Sequence, residues 1–255
     1  MTVIPRRSVL TGLAGLPLAA VLADPRLAAA AAAGLEEVSL TTPSGKSVKA
    51  ALAVPATVPA PAVVLIHEWW GLNDQIKAVA AEMANQGYLG LAVDLFDGKV
   101  ATNPTDAQSQ MEALDADAAT ETMVAWIDSL KGDTRSTGKT GTVGWCFGGA
   151  WSLNGSIAAP VDATVIYYGR VERNAEDLTK LEGPVLGHFA EEDQWINHDM
   201  VAGFEKNMAA AGKALEVHWY AANHAFANPT GDNYRKPEAE LAWSRTLEFF
   251  RANLA

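Results

Sequence analysis

Cys146, Asp193 and His224 follow one another along the chain in an order that can turn a thiol into a nucleophile. At neutral pH a thiol needs a base to take its proton, and the base needs an acid to hold its tautomer. Cys146 lies in Gly144-Trp145-Cys146-Phe147-Gly148-Gly149, between a β-type run (Thr140–Val143) and a helix-compatible stretch (Ala150–Ile157). This has the form of a nucleophile elbow, G-x-S-x-G, with Cys in place of Ser. Gly144 and Gly148 stand where so tight a turn leaves no room for bulk, and Gly149 lets the helix approach the sheet closely. A thiol at a helix N-terminus feels the positive end of the dipole, which favours thiolate. The plain alternative is a glycine-rich turn around an ordinary buried cysteine. The suitably ordered Asp and His downstream favour the nucleophile.

His224 is the natural base, because it lies in a loop after the last predicted strand. His188 and His218 fall within strands, His198 starts a helix, and His67 is only a neighbour of the site. Asp193 has close rivals in Glu191 and Glu192, and is favoured by its position in the motif. Glu68 is unusual: a carboxylate straight after a buried apolar strand is costly to bury without a partner. It is either a salt-bridged loop residue or a second acid-base group near the thiol. The N–H groups of Phe147, after the nucleophile, and Trp69, after the first core strand, are placed to form an oxyanion hole. The order nucleophile, acid, His is that of α/β-hydrolases and differs from the other triad folds.

The elements that must position these residues follow from periodicity. Leu35–Leu40 and Ser47–Val54 read as a hairpin around Pro43-Ser44-Gly45. Ala62–His67 and Tyr88–Asp94 are continuous apolar runs of the buried parallel kind. Between them Ile76–Gln86 is a helix capped by Asn73 or Asp74 and stopped at Gly87. A long acidic helix is expected over Asp106–Leu130, its carboxylates forming a solvated face. Strands at Ala163–Tyr168, Val185–Phe189 and Ala214–Tyr220 and helices at Asp199–Ala211 and Pro237–Asn253 complete the domain. Alternating strands and helices make an α/β fold, a mostly parallel sheet with helices on both faces. In such sheets chemistry gathers at the strand C-terminal ends. Glu68, Cys146, Asp193 and His224 each come just after a strand.

The 255 residues suit one α/β domain, here Gly34–Ala255. Met1–Ala33 reads as an export signal: Arg6-Arg7-Ser8-Val9-Leu10, an apolar run Leu10–Ala23, then alanine-rich Leu27–Ala33. The paired arginines suggest the twin-arginine route, with cleavage within Ala28–Gly34 and a periplasmic or secreted product. Cleavage removes three of the 19 basic and one of the 30 acidic residues, leaving 16 against 29 and a net charge of −13. That argues against nucleic acid and anionic membrane surfaces as partners. Cys146 is the single cysteine, so no intramolecular disulfide framework exists.

The chain resembles the dienelactone hydrolase (carboxymethylenebutenolidase) family over about Leu35–Ala255. The likeness rests on HEWWGLN at His67–Asn73, VDLF at Val93–Phe96, GWCFGGA at Gly144–Ala150 and YYG at Tyr167–Gly169. It continues in EEDQ at Glu191–Gln194, VHWY from Val217, and NHAFAN ending at Asn228. The resemblance implies the α/β-hydrolase fold and ester or lactone hydrolysis by a Cys146–His224–Asp193 triad. Glu68 would help to form the thiolate once substrate binds, from a resting thiol that stays largely neutral. The helix-dipole argument points instead to a standing thiolate. The family's dienelactone enzymes hold the substrate carboxylate with two arginines. Asp94–Lys99 contains no Arg where one is expected, and Asn228 stands where the other would be, four residues after His224. Lys99 is the one cation near the first place, and it lacks the bidentate fork. The expectation is therefore a monomer that needs no cofactor and acts on a small neutral ester or lactone. Trp70, Tyr168, Trp195 and Phe226, with Lys99, would line its pocket. A binding protein for an aromatic ligand and a thiol-redox protein are the two alternatives; the first has no use for a complete triad, and the second lacks a resolving cysteine.

Overall fold

The computed structural model describes residues 16–255; the Arg6-Arg7 pair lies outside them. The sheet has eight strands: β1 (Glu36–Thr41), β2 (Ser47–Ala53), β3 (Ala60–Ile66), β4 (Leu89–Val93), β5 (Ser136–Trp145), β6 (Ala163–Tyr167), β7 (Val185–Ala190) and β8 (Leu215–Tyr220). Their spatial order is β1-β2-β4-β3-β5-β6-β7-β8. β1 and β2 form the expected hairpin, β2 pairs antiparallel with β4, and from β4 to β8 every pairing is parallel.

The apolar runs are continuous because both faces of the sheet are covered. Val63 and Leu65 of β3 join one core with α3 (Asp74–Asn85) and α9 (Lys236–Leu254). Ala62, Val64 and Ile66 enter a second core under α5 (Ala116–Gly132). A third core lies between α6 (Phe147–Ala158) and α8 (His198–Ala210). Two short helices ahead of the sheet, α1 (Leu18–Ala23) and α2 (Pro25–Ala32), bury Val21, Leu22, Ala28 and Ala31 against the first core.

Three elements depart from expectation. The acidic helix is two helices, α4 (Pro104–Glu112) and α5. Asp115 caps α5 by accepting from the N–H groups of Asp117 and Ala118 at 3.0 and 3.1 Å, which ends any continuous helix. The helix after the elbow begins at Phe147 rather than Ala150. A single turn, α7 (Ala175–Leu178), follows β6 where no helix was expected.

The strands nearest the site are tied to α9 by buried polar side chains. Thr246 bonds Tyr167 Oη at 2.7 Å and His188 Nε2 at 3.0 Å, and His188 Nδ1 lies 2.8 Å from Tyr220 Oη. Burial pushes the His188 pKa well below its ordinary value, so the ring stays neutral and belongs to the core.

Candidate active site

The loops after β3, β5, β6, β7 and β8 meet above the C-terminal edge of the sheet. β5 delivers Cys146 at the N-cap of α6, with φ 55° and ψ −117°. Tyr168 (φ 37°) and Ala225 (φ 62°) share this left-handed region, which costs a non-glycine residue about 1–3 kcal/mol. Strain of this kind needs rigid surroundings. The Cys146 N–H donates to Tyr167 O at 3.0 Å and Tyr168 N–H to His188 O at 2.8 Å, continuing the sheet past its last rungs. A Cβ on Gly144 would collide with the Gly148 carbonyl. A Cβ on Gly149 would stand 2.8 Å from the Gly169 Cα, and one on Gly169 2.5 Å from the Gly149 carbonyl carbon. The spacing of these glycines is thus set by backbone crossing backbone.

β7 and β8 bring the acid and the imidazole together. His224 Nδ1 lies 2.6 Å from Asp193 Oδ2, while Asp193 Oδ1 accepts the N–H groups of Trp195 and Ile196 at 2.9 and 3.0 Å. The rivals are engaged elsewhere or point away: Glu192 accepts from Asn223 at 3.1 Å, and both Glu191 and Glu192 are exposed. Burial disfavours both charges. For His224 the hydrogen bonds with Asp193 and Cys146 outweigh it and raise the pKa to about 10. Burial likewise works against the Asp193 carboxylate, and the His224 contact with the two N–H groups holds it below its usual range. Asp193 thus favours the charged form of the His224 ring at the edge where Cys146 also stands.

Glu68 is buried. Its Oε2 accepts from Asn228 Nδ2 at 2.7 Å, and the Tyr168 hydroxyl stands 3.5 Å from Oε1. Burial raises its pKa, and the Asn228 bond, the nearby His224 charge and Tyr168 work against the rise. Asn228 is fixed in turn, since its Oδ1 accepts from Thr230 N and Oγ1 at 3.1 and 2.9 Å. The residue in the place of a family arginine is thus a prop for Glu68. A cavity of about 440 Å³ between α3 and α9 touches Glu68, Asn228 and Tyr168, and α1 lies across it with Leu18 and Leu22.

The loop after β3 carries Trp69 and Trp70, whose rings meet edge-on at 5.1 Å. Gln110 of α4 donates to the Trp69 carbonyl at 2.9 Å and Ala101 N to that of Trp70 at 2.8 Å. Among the described residues, neither the Trp69 nor the Phe147 N–H has a protein acceptor.

The remaining predicted pocket residues separate. Trp195 is 67% exposed and meets His224 edge-on at 5.1 Å, so it stands at the mouth. Tyr168 is fully buried between His224, at 5.1 Å, and Phe226, at 5.4 Å. Phe226 has no exposed surface and supports Tyr168 from behind. Lys99 is not brought to this group; it is exposed and lines a recess of about 170 Å³ with Asp94, Asp97 and Gln110. Sequence reasoning placed Asn228 and His67 inside the motifs but missed what they do, which is to hold Glu68 and its loop. Among the described residues, no three His, Cys, Asp or Glu side chains converge to hold a metal ion.

A family model described as the dienelactone hydrolase family matches residues 48–254. The chain is 32% identical over 211 residues to protein Usf of Aquifex pyrophilus, covering 76% of this chain and 89% of that protein. It is 28% identical over 229 residues to a carboxymethylenebutenolidase of Pseudomonas putida, covering 84% and 95%. Its fold is similar to that of a dienelactone hydrolase-like promiscuous phosphotriesterase from metagenomic libraries, with a TM-score of 0.80, 21% identity, and coverage of 87% and 98%.

Proposed function

The chain belongs to the dienelactone hydrolase family, hydrolases of esters and lactones, and from that premise we propose that it works through a thioester on Cys146. The observation that carries this reading is the His224–Asp193 pair, 2.6 Å apart, at the same sheet edge as a cysteine held at positive φ in the elbow. The Cys146 sulfur attacks the acyl carbonyl, and the displaced π pair moves to the oxygen, held by the Trp69 and Phe147 N–H groups. Collapse expels the alkoxide, which takes a proton from His224. Water then attacks the thioester, gives its proton to His224, and the sulfur leaves as thiolate. The proton that His224 gives to the alkoxide is the one it takes from the Cys146 thiol. Glu68 lies where its charge and that of His224 act on each other, and so assists activation. A panel of lactones and aryl esters, with intact-mass detection of an acyl-Cys146 adduct, tests the reading; turnover with no adduct on Cys146 under rapid quench would refute it.

The substrate is a neutral ester or lactone. Asn228 is committed to Glu68, Lys99 stands in another recess, and the mouth offers Trp69, Trp70 and Trp195. A lost bidentate charge-assisted contact removes about 1.5–3 kcal/mol, on the order of tenfold or more in relative kcat/KM for each missing arginine. A dienelactone methyl ester is therefore expected to outpace the free acid at matched ionic strength. A clear preference for the acid would point to another cation reaching the site. Asn228→Arg offers an anion anchor only by pairing first with Glu68, so its gain on the acid is expected to come with a loss on neutral esters.

The N-terminal segment serves as a twin-arginine leader cleaved within Ala28–Gly34, which delivers the enzyme to the periplasm or the medium. Paired arginines ahead of a short apolar run and an alanine-rich stretch support this. N-terminal sequencing of the exported form is expected to begin in that window, and replacing Arg6 and Arg7 with Lys to block export. An exported chain that starts at Met1 or Thr2 would rule it out.

A further inference from the structure

His67 is fully buried beside the site, and the mechanism above gives it no task. Its Nδ1 lies 2.6 Å from the Glu68 carbonyl oxygen, and its Nε2 lies 3.2 Å from the Leu95 nitrogen. A carbonyl only accepts and an amide N–H only donates, so both bonds together require the neutral ring with its hydrogen on Nδ1. Burial, which lowers the pKa of this ring, favours the same neutral form. The ring is wedged between Phe96, at 4.8 Å and 54°, and Phe147, at 5.7 Å and a nearly parallel 14°.

The Glu68 carbonyl and the Trp69 N–H belong to one planar trans peptide and point in opposite directions. Whatever grips the carbonyl aims the N–H. The second free amide of the site belongs to Phe147, the residue stacked on the same ring. We propose that His67 is the positioning residue of the oxyanion hole, aiming the Trp69 N–H through the Glu68 carbonyl and seating Phe147 by stacking. The proposal rests on the thioester reading, in which these two amides receive the oxyanion. Rotation of the Glu68–Trp69 peptide is otherwise opposed mainly by the Gly71 N–H, which donates to the same carbonyl at 3.2 Å, and by Gln110 one residue on. The Leu95 bond fixes the tautomer, so the loop after β4 contributes to the aim of the loop after β3.

Two substitutions separate aim from bulk. The amide nitrogen of Asn falls near the place of Nδ1, and the terminal amide of Gln near that of Nε2. His67→Asn retains a donor for the Glu68 carbonyl, whereas His67→Gln retains a partner for Leu95 and lets the peptide go. The probe is an aryl trifluoromethyl ketone. The Cys146 sulfur adds to its carbonyl, the π pair moves to oxygen, and no leaving group departs, so the adduct places an oxyanion at the two amides. The matching alcohol forms no adduct.

His67→Gln is expected to lower kcat about tenfold to a hundredfold and to raise the ketone inhibition constant by a similar factor, as for a mis-aimed oxyanion donor. KM and the affinity for the alcohol should move by less than about threefold, because ground-state contacts are untouched. His67→Asn should keep kcat within about threefold of wild type, because the Glu68 carbonyl keeps its donor and the Trp69 N–H its aim. Equal kcat and ketone affinity in His67→Gln and wild type, with the ketone mass found on Cys146, would overturn the inference and leave the thioester reading standing. A ketone that never labels wild-type Cys146 would overturn both. If His67→Gln does not fold, an inactive but normally stable His67→Asn still refutes the proposal and an active one upholds it.

Discussion

Cys146→Ala is expected to lower kcat/KM for an aryl ester by at least about ten-thousandfold, since what survives the loss of a nucleophile is binding and oxyanion stabilisation alone. The fold should not notice. Alanine keeps the Cβ and the N–H bond to Tyr167 O and pays a similar cost at positive φ, and the lost thiol makes no hydrogen bond that the sheet depends on. The melting temperature should stay within a few degrees of wild type, while the acyl adduct disappears from the mass spectrum. His224 should also titrate lower, because one of the groups that supports its proton is gone. Cys146→Ser should be nearly as poor, as the same base would face an alcohol far harder to ionise than a thiol. A Cys146→Ala enzyme with wild-type turnover would move the nucleophile elsewhere.

Asp193→Asn is expected to cost about a thousandfold to ten-thousandfold in kcat with the site geometry preserved. The direction of the new amide is already decided. Asp193 Oδ1 accepts two N–H groups, from Trp195 and Ile196, so the oxygen of the asparagine must remain there. Its NH2 then faces His224 Nδ1 and donates, which forces the ring hydrogen to Nε2 and leaves no acceptor for the thiol proton. The His224 pKa should fall from about 10 toward its ordinary range. Stability follows the same proton. The folded wild-type chain holds it where the unfolded chain lets go, so this contribution is full below the ordinary histidine range and is lost as pH rises through about 10. Asp193→Asn should flatten that part of the curve of melting temperature against pH. An unchanged slope would mean that the pair does not hold the proton as argued.

Much of this was legible beforehand because steric rules act on neighbours in sequence. Gly144, Gly148 and Gly149 are required by a turn only a few residues long, and Ala62–Ile66 is apolar throughout because both sides of β3 are covered. The pairing of His224 with Asp193 was readable by chain order. Other side-chain hydrogen bonds between distant segments were not. Asn228 and Glu68 lie 160 residues apart, and nothing local distinguishes an asparagine that props a carboxyl from one that fills a lost arginine's place. His67 depends on which ring nitrogen bears the hydrogen, which only its two partners reveal. Phe226 looks like a ligand contact by type and lies fully in the core. The break before α5 had a signal, Asp115 ahead of an alanine-rich run, that the acidic pattern masked.

The crossing of Gly149 and Gly169 also sets how this site can be re-engineered. Each added methyl meets the other residue's backbone rather than a side chain, so no compensating shrinkage exists at the partner and the two positions cannot be traded one against the other. Paired substitution, the usual escape from a steric conflict, is closed. A combinatorial library that randomises the elbow spends its diversity on chains that cannot dock α6 on the sheet. The freedom lies at the rim instead, where Trp195 projects into solvent beside His224 and where the Trp69–Trp70 pair is only partly covered. Substrate range is therefore expected to evolve by exchange of rim aromatics over an invariant floor.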